Sequence, residues 1–245
     1  MKLVIHPEYN HLSDWIKEIP SIFSAQGETI YKWRNELKVF DTELGKIVIK
    51  SFGIPHIINR FAYSFLRFSK AKRSYLYSLE ILKRGFQTPQ PIAYIELFKT
   101  GLLSESYYIS GHSDYLLMRH FNCVKKLTEE DTEILKAFAC FTARLHEKEI
   151  YHTDYSNGNI LFKKEGENIH FELIDVNRIQ FKKVNEEMAY RSFHRLDFSI
   201  EMLEIIAREY ALQRKMDVEK SVAEIKKLNL KTMRRYRSVH LSESD

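Results

Sequence analysis

The sequence contains little cysteine or glycine and no long apolar segment. Of its 245 residues, 2 are cysteine and 8 are glycine. No run approaches the roughly eighteen apolar residues that span a bilayer. At the N-terminus, His6, Pro7 and Glu8 interrupt MKLVIHPEYN before the apolar core of a signal peptide can form. We therefore expect a soluble, cytoplasmic protein.

The two cysteines exclude two further classes of protein. Cys123 and Cys140 lack metal-ligand spacing and lie in apolar or helical surroundings, so both are expected to be reduced, buried thiols rather than a metal site or a disulfide. The scarcity of glycine removes the G-x-G-x-x-G loop with which protein kinases cover ATP phosphates, and only Gly27 precedes the first predicted strands. If the chain binds a nucleotide, a polar loop substitutes for this cradle or binding is weak.

The composition fits a globular protein with an acidic partner. Hydrophobic residues make up 44% of the chain, enough for one large domain or two lobes. The formal charge of +5 favours a nucleotide, an anionic lipid surface or nucleic acid as partner, and charge alone does not choose among them.

The segment 151–180 has the residue types of a phosphoryl-transfer site. His152 and Asp154 form a His-x-Asp before a polar loop, Asn159 follows, and Asp175 comes after an apolar run. Asp154 could take the proton from an attacking hydroxyl. Asn159 and Asp175 offer the oxygen ligands that Mg²⁺ prefers.

The local sequence explains how these side chains could meet. Ser156, Asn157 and Gly158 form a turn-prone run between Asp154 and Asn159. Residues 160–162 and 171–174 then read as two strands of a hairpin that returns Asp175 to Asn159. A lone His-x-Asp with a later Asn also occurs by chance, so a phosphate-binding lysine upstream decides the interpretation.

Such a lysine ends the third of three predicted strands, over residues 29–33, 36–40 and 46–50. Lys50 stands where a nucleotide kinase places the lysine that binds the α- and β-phosphates, although a solvated lysine is also common at a strand end. A helix is predicted over 69–84, and its Glu80 could pair with Lys50 or be an ordinary solvated acid.

Three features follow in the second half of the chain. A helix that begins after Thr128 and ends at His146 would deliver the His152 loop, with His146 itself structural. Asp197 could support that loop or be an ordinary helix acid. From residue 226 to 237 the chain is strongly basic, which indicates a solvated face or a contact with anionic lipid.

Four segments in this order resemble the bacterial lipopolysaccharide core kinases: KIVIKSF, SKAKRSYLYSLEILKRGFQTPQPIAYIE, HTDYSNGN and LIDVNRIQF. Those enzymes phosphorylate 3-deoxy-manno-octulosonate (Kdo) or heptose with ATP. The resemblance, over about residues 26–210, implies an α+β, two-lobed protein-kinase-like fold. Its N-terminal lobe (1–118) would be a small antiparallel sheet with one helix, and its C-terminal lobe (119–245) mainly helical with a basic tail.

The resemblance also implies roles for individual residues. Asp154 would be the catalytic base, Lys50 would bind the phosphates with Glu80 as its ion-pair partner, and His152 and Asp197 would support the loop. Asn159 and Asp175 would hold Mg²⁺.

The expected partners are ATP and a lipid-linked sugar of the lipid A–Kdo type, with no nucleic acid. Peripheral contact at the inner face of the inner membrane is also expected. No A-P-E motif follows Asp175, which argues against a peptide-docking platform. Two alternatives stay open: a compact atypical protein serine/threonine kinase, and a pseudokinase that binds a partner without catalysis.

Overall fold

A computed structural model describes residues 1–43, 45–53, 63 and 67–241, with side chains described as far as residue 234. The chain forms two compact units. Unit 1 comprises Met1–Asp114 with Asp175–Asn177, and unit 2 comprises Tyr115–Ile174 with Arg178–Asp245. Residues 242–245, the end of the predicted basic tail, lie outside the described residues.

Unit 1 is built on a six-stranded antiparallel sheet. Its strands are β1 (Lys2–Ile5), β2 (Glu28–Lys32), β3 (Asn35–Thr42), β4 (Gly45–Phe52), β5 (Pro91–Lys99) and β6 (Leu102–Gly111). They lie in the order β1-β5-β6-β4-β3-β2. β2, β3 and β4 are the three strands that the sequence predicts.

Helices pack on this sheet and orient Lys50. Successive side chains of a strand point to opposite faces of the sheet. Ile47 and Ile49 of β4 therefore share one face, and Lys50 and Phe52 share the other. Ile47 and Ile49 are buried in a cluster with helix α1 (Ser13–Ile22). Phe52 instead packs with residues of helix α2 (Lys70–Lys83).

The two α-helices that the structure describes in unit 1 differ in how well the sequence predicts them. α2 begins at Ser69, whose side chain accepts a hydrogen bond from the Lys72 backbone N–H at 3.0 Å, as an N-cap does. α1 corrects the expectation of one helix in this lobe. It contains Pro20, which lacks the backbone N–H of a regular helix interior and obscures the helical pattern in the sequence.

Unit 2 is mainly helical among its described residues. Its helices are α3 (Glu129–Glu147), α4 (Glu186–Ser192), α5 (Ile200–Gln213) and α6 (Val218–Leu241). Its short strands are β7 (Leu116–Leu117), β8 (Ile150–His152), β9 (Ile160–Glu165), β10 (Asn168–Leu173) and β11 (Ile179–Phe181). They pair as β10-β9-β7 and as β11-β8. Because β7 pairs with β9, residues 115–118 belong with this unit.

α3 is the scaffold of unit 2. Thr128 and Asp131 close a capping box at its N-terminus. The rings of Phe138 and Tyr155 stack with their centroids 5.8 Å apart, and this contact anchors the loop after β8 to the helix. Near the end of α3, His146 hydrogen-bonds Tyr210 at 2.7 Å and Ser192 at 3.1 Å. Burial lowers its pKa to about 3, so it is a neutral structural residue.

The predicted β9–β10 hairpin is present, and its strands extend further toward the turn than the predicted 160–162 and 171–174. Ile160 lies opposite Leu173, and Glu165 opposite Asn168. The Ile174 backbone N–H then donates to the Asn159 backbone oxygen at 3.0 Å, so the residue before Asp175 is fixed to Asn159.

The architecture is α+β, with one antiparallel-sheet unit and one mainly helical unit. Of the helices that the structure describes, none combines the length and apolar composition that crossing a bilayer requires.

Candidate active site

In unit 1, Lys50 and Asp175 form an ion pair. Lys50 Nζ lies 2.6 Å from Asp175 Oδ1, and the two side chains are 13% and 28% exposed. Asn177 Nδ2 also donates to Asp175 Oδ1, at 2.6 Å, and Asn177 is buried. Two of the sequence-predicted site residues are therefore in direct contact, with Asn177 as a support that the sequence analysis did not assign.

The backbone of Asp175 takes up an unusual conformation. Its φ of +53° lies in the left-handed region, which non-glycine residues seldom adopt and which aspartate tolerates better than most. Such conformations persist where the surrounding contacts enforce them. Here the Lys50 and Asn177 contacts hold the carboxylate in one place.

Glu80 does not form the predicted ion pair with Lys50. It lies 2.7 Å from Arg84 Nε, one helical turn later on α2. Side chains four positions apart on a helix are neighbours, so Arg84 is a local partner that requires no contact across the unit. Among the described residues, Asp175 is the acid paired with Lys50.

In unit 2, His152 fixes the loop that carries Asp154. Its Nδ1 accepts the Asp154 backbone N–H at 3.2 Å, which requires the hydrogen to be on Nε2. Nε2 lies 3.3 Å from the Ile174 backbone oxygen, so this tautomer can donate to it. One buried ring therefore ties the start of the loop to the end of β10, as a loop-supporting residue would.

Asp154 lies between two arginines that the sequence analysis did not assign. Arg195 Nη1 donates to Asp154 Oδ1. Arg178 Nη1 lies 3.3 Å from Asp154 Oδ2. The side chain of Asp154 is 17% exposed, against 30% for Arg195 and 54% for Arg178. Each carboxylate oxygen therefore faces a guanidinium group.

Different elements position the two arginines. Arg178 precedes β11, and the Thr153 hydroxyl donates to its backbone oxygen at 2.9 Å. Arg195 ends a short 3₁₀ helix, Phe193–Arg195, whose carbonyls are bound by Asn229 of α6. Asn229 Nδ2 donates to Phe193 O at 3.0 Å and to Leu196 O at 2.6 Å. The position of Arg195 thus depends on a buried amide in another helix.

Asn159 closes the loop and leaves its side-chain oxygen available. Its Nδ2 donates to the Asp154 backbone oxygen at 2.8 Å, and its backbone N–H donates to Ser156 O at 2.9 Å. No described residue donates a hydrogen bond to Asn159 Oδ1, which is on the other side of the planar amide. That oxygen can serve as a ligand.

Asp197 contacts the same loop through two asparagines. Asn122 Nδ2 donates to Asp197 Oδ2 at 3.2 Å, and Asn157 Nδ2 donates to Asn122 Oδ1 and, at 3.4 Å, to the Asp197 backbone oxygen. Asn157 is buried. The Asp197 carboxylate therefore reaches the loop through Asn122, and the Asp197 backbone oxygen accepts directly from Asn157.

Arg119 lies against the middle of the loop. A Cβ added to Gly158 would overlap its guanidinium group. The absence of a side chain at residue 158 allows this approach. Arg119 is exposed and forms no ion pair with any described residue, so it adds positive charge beside the loop.

A tight hairpin connects β2 and β3, where protein kinases have a glycine-rich loop. Trp33 and Arg34 link β2 to β3, and the Trp33 backbone N–H donates to Asn35 O at 3.0 Å. Trp33 is 74% exposed. Gly53 passes close to this turn, because a Cβ on it would lie 2.8 Å from Arg34 O. The turn is polar and aromatic rather than glycine-rich.

Asp175 of unit 1 and Asn159 of unit 2 each carry a side-chain oxygen of the kind that magnesium binds. The described residues contain no group of three or more His, Cys, Asp or Glu that could hold a metal ion. Magnesium instead takes one or two carboxylates, with waters and substrate phosphates completing the octahedron. Asp175 offers a carboxylate and Asn159 an amide oxygen, which suit that chemistry.

Three comparisons place the chain among known proteins. The model of the lipopolysaccharide kinase (Kdo/WaaP) family matches residues 79–227. A solved structure titled WaaP in complex with acyl carrier protein is similar over 97% of this chain and 99% of that chain, with a TM-score of 0.66 and 12% identity. No curated protein matches the sequence.

The fold and the family now agree. At 12% identity the WaaP structure is informative about fold alone, and it confirms the two-lobed protein-kinase-like architecture. The family model covers more than half of the chain and includes the 151–180 segment. This protein is therefore a member of the lipopolysaccharide kinase (Kdo/WaaP) family, and its activity is that of an ATP-dependent kinase with a sugar acceptor.

Proposed function

We propose that the protein transfers the γ-phosphoryl group of ATP to a hydroxyl of Kdo in the lipopolysaccharide inner core, with heptose as the alternative acceptor. The observation that most supports a transfer reaction is the loop of unit 2. It holds the partly buried Asp154 carboxylate and leaves the Asn159 amide oxygen available as a ligand.

Asp154 is assigned as the general base. The acceptor hydroxyl gives its proton to the Asp154 carboxylate as its oxygen bonds to the γ-phosphorus, and ADP leaves with the electrons of the broken P–O bond. His152 holds the Asp154 backbone, so the carboxylate is oriented before the acceptor arrives.

Lys50 is assigned to the α- and β-phosphates. Its ammonium has three N–H donors, and the contact with Asp175 uses only part of that capacity. Asn159 and Asp175 are assigned as ligands of Mg²⁺, with Asn177 holding Asp175. When bound, the ion would neutralise phosphate charge that develops during transfer.

The sequence after Asp175 supports a sugar acceptor over a protein. β11 follows directly, and α4 begins at Glu186. That leaves little chain for the extended activation segment on which protein kinases dock peptides. The protein serine/threonine kinase alternative is therefore less well supported.

An acceptor screen with labelled ATP tests the proposal. The acceptors are lipid A that carries Kdo, the same lipid extended with heptose, and a protein such as casein. We expect label in the Kdo-bearing lipid, dependent on Mg²⁺, and none with Asp154→Ala. Label that requires heptose would select the alternative acceptor, and label in casein alone would overturn the assignment.

We also propose that α6 contacts an anionic membrane surface. Lys226 pairs with Glu204 and Lys227 with Glu224, so these two charges are compensated. Lys231 and Arg234 are exposed and have no acidic partner among the described residues. Sedimentation with phosphatidylglycerol vesicles should exceed that with phosphatidylcholine vesicles, and the excess should fall in Lys231→Gln/Arg234→Gln. Equal sedimentation with both vesicles would contradict this.

A further inference from the structure

Two guanidinium groups contact the carboxylate that is assigned as general base. Arg195 contacts one oxygen of Asp154 and Arg178 the other, and Arg178 is 54% exposed. Arg119 adds another positive charge at Gly158 of the same loop. Exposed positive charge of this kind attracts an anion.

We propose that Arg178 and Arg195 bind the carboxylate of the acceptor sugar. This inference rests on the proposed function, and it identifies the acceptor as an acidic sugar. Guanidinium groups present paired N–H donors that match a carboxylate, and they bind it more specifically than a lysine would.

The two arginines differ in how firmly they are held. Arg195 is less exposed, and its backbone lies between the carbonyls of Phe193 and Leu196, both of which Asn229 binds. Arg178 is 54% exposed, its contact with Asp154 is 3.3 Å, and its remaining N–H groups have no described partner. Arg178 can therefore turn toward a ligand at little cost, while Arg195 stays in place.

This difference connects acceptor binding to proton transfer. As long as both oxygens of Asp154 face guanidinium groups, neither is fully available to the acceptor hydroxyl. An acceptor carboxylate that draws Arg178 away from Asp154 Oδ2 leaves that oxygen to accept the hydroxyl proton. A neutral sugar offers Arg178 no substitute for Asp154, so it should bind less well and react more slowly.

The arginines could in principle bind the γ-phosphate of ATP. The direct contacts favour the acceptor, because both guanidinium groups touch the carboxylate that must meet the acceptor hydroxyl. The two possibilities differ in a measurable way: a phosphate-binding role would change the KM for ATP, and an acceptor-binding role would change the KM for the acid sugar.

The test measures sugar binding in the absence of ATP by isothermal titration calorimetry or saturation-transfer NMR. The ligands are free Kdo and its methyl ester, which keeps every hydroxyl and loses the charge. The proteins are wild type, Arg178→Gln, Arg195→Gln, Arg195→Lys and Arg208→Gln. Arg208 is a matched control, because it pairs with Glu219 at 2.7 Å on the surface of the same unit.

We expect wild type and Arg208→Gln to bind Kdo roughly 10- to 100-fold more tightly than its ester, since a charge-assisted hydrogen bond has about that effect. Arg178→Gln and Arg195→Gln should lose this preference. Arg195→Lys should retain part of it, because the charge remains and the paired donors do not. Circular dichroism of each variant checks that the fold is kept.

Several outcomes would overturn the inference. These are equal binding of Kdo and its ester by wild type, no binding of either, or an unchanged preference in both glutamine variants. In transfer assays, a raised KM for ATP with an unchanged KM for the acceptor would assign the arginines to the nucleotide.

The binding measurement is independent of the transfer reaction. If no sugar is phosphorylated and Kdo is still bound through its carboxylate, the proposed function fails and the binding site stands. If Kdo is phosphorylated at the same rate as its ester, the function stands and the inference fails.

Discussion

Replacing Asn229 with leucine should loosen the turn that carries Arg195. Asn229 is 2% exposed, and its amide binds the carbonyls of Phe193 and Leu196. Leucine has a similar size and no donor, so the Leu196 carbonyl would lose its described partner, while Phe193 O would keep the Leu196 N–H at 3.3 Å. An unsatisfied buried polar group costs about 1–3 kcal/mol, so the substitution should cost on the order of 2 kcal/mol.

That loss is large enough to see in a melting experiment. For a chain of this size, 1 kcal/mol shifts Tm by about 2–4 °C, so the expected decrease is roughly 4–8 °C. The matched control is Lys227→Leu, on the same helix, where the lysine is exposed and, among the described residues, pairs with Glu224 alone. It should change Tm by no more than about 2 °C, as exposed substitutions do.

Activity should separate positioning from simple instability. At a temperature where Asn229→Leu is still folded, the KM for the acceptor should rise because Arg195 is no longer fixed, while the KM for ATP should stay near the wild-type value. A Tm equal to that of Lys227→Leu would refute the hydrogen-bond argument. A lowered Tm with both KM values unchanged would show that Asn229 stabilises the fold without positioning Arg195.

Three further predictions follow from the same structure. Asp154→Ala should lower the transfer rate by about a hundred- to ten-thousand-fold with an unchanged circular dichroism spectrum, and an unchanged rate would refute its role as base. Asp175→Asn should weaken ATP binding with Mg²⁺ far more than without it in fluorescence titrations, and an equal effect in both would move the metal role elsewhere. Because burial lowers the pKa of His146 to about 3, the unfolded chain binds a proton between that value and about pH 6.5 that the folded chain does not. The free energy of unfolding should therefore fall by about 1.4 kcal/mol per unit as pH decreases below 6.5, and His146→Gln should flatten this slope in denaturant titrations.

The sequence predicts the parts of the fold that depend on local pattern. Alternating residues give β2 to β4, and an amphipathic run after Thr128 gives α3. The β9–β10 hairpin likewise follows from two short apolar runs and a polar turn. In each case the signal lies within a few neighbouring residues.

The features that the sequence analysis missed depend on contacts between distant residues. Arg195 is 41 residues from Asp154 in the sequence. Nothing in the segment FHRLD distinguishes Arg195 from a solvated arginine. Asn229 lies 36 residues from Phe193, in a basic helix that reads as a surface element. An asparagine among apolar and basic residues is the only local sign of a buried amide.

The predicted ion-pair partner of Lys50, Glu80, was wrong for a related reason. The expected partner was a carboxylate on α2, and Glu80 is the acid that this helix offers. On a helix, however, a residue four positions away competes for each charge, and Arg84 occupies that position. Asp175 meets Lys50 because of the path that the chain takes between them, and no local sequence pattern indicates that path.

The path of the chain also limits how this enzyme can be divided. The three residues Asp175–Asn177 group with unit 1, although the residues on either side of them group with unit 2. A recombinant fragment that ends at Asp114 would contain Lys50 without the aspartate it pairs with. Separately expressed halves could therefore restore the Lys50–Asp175 pair only by associating, and mixing such fragments would measure that association directly.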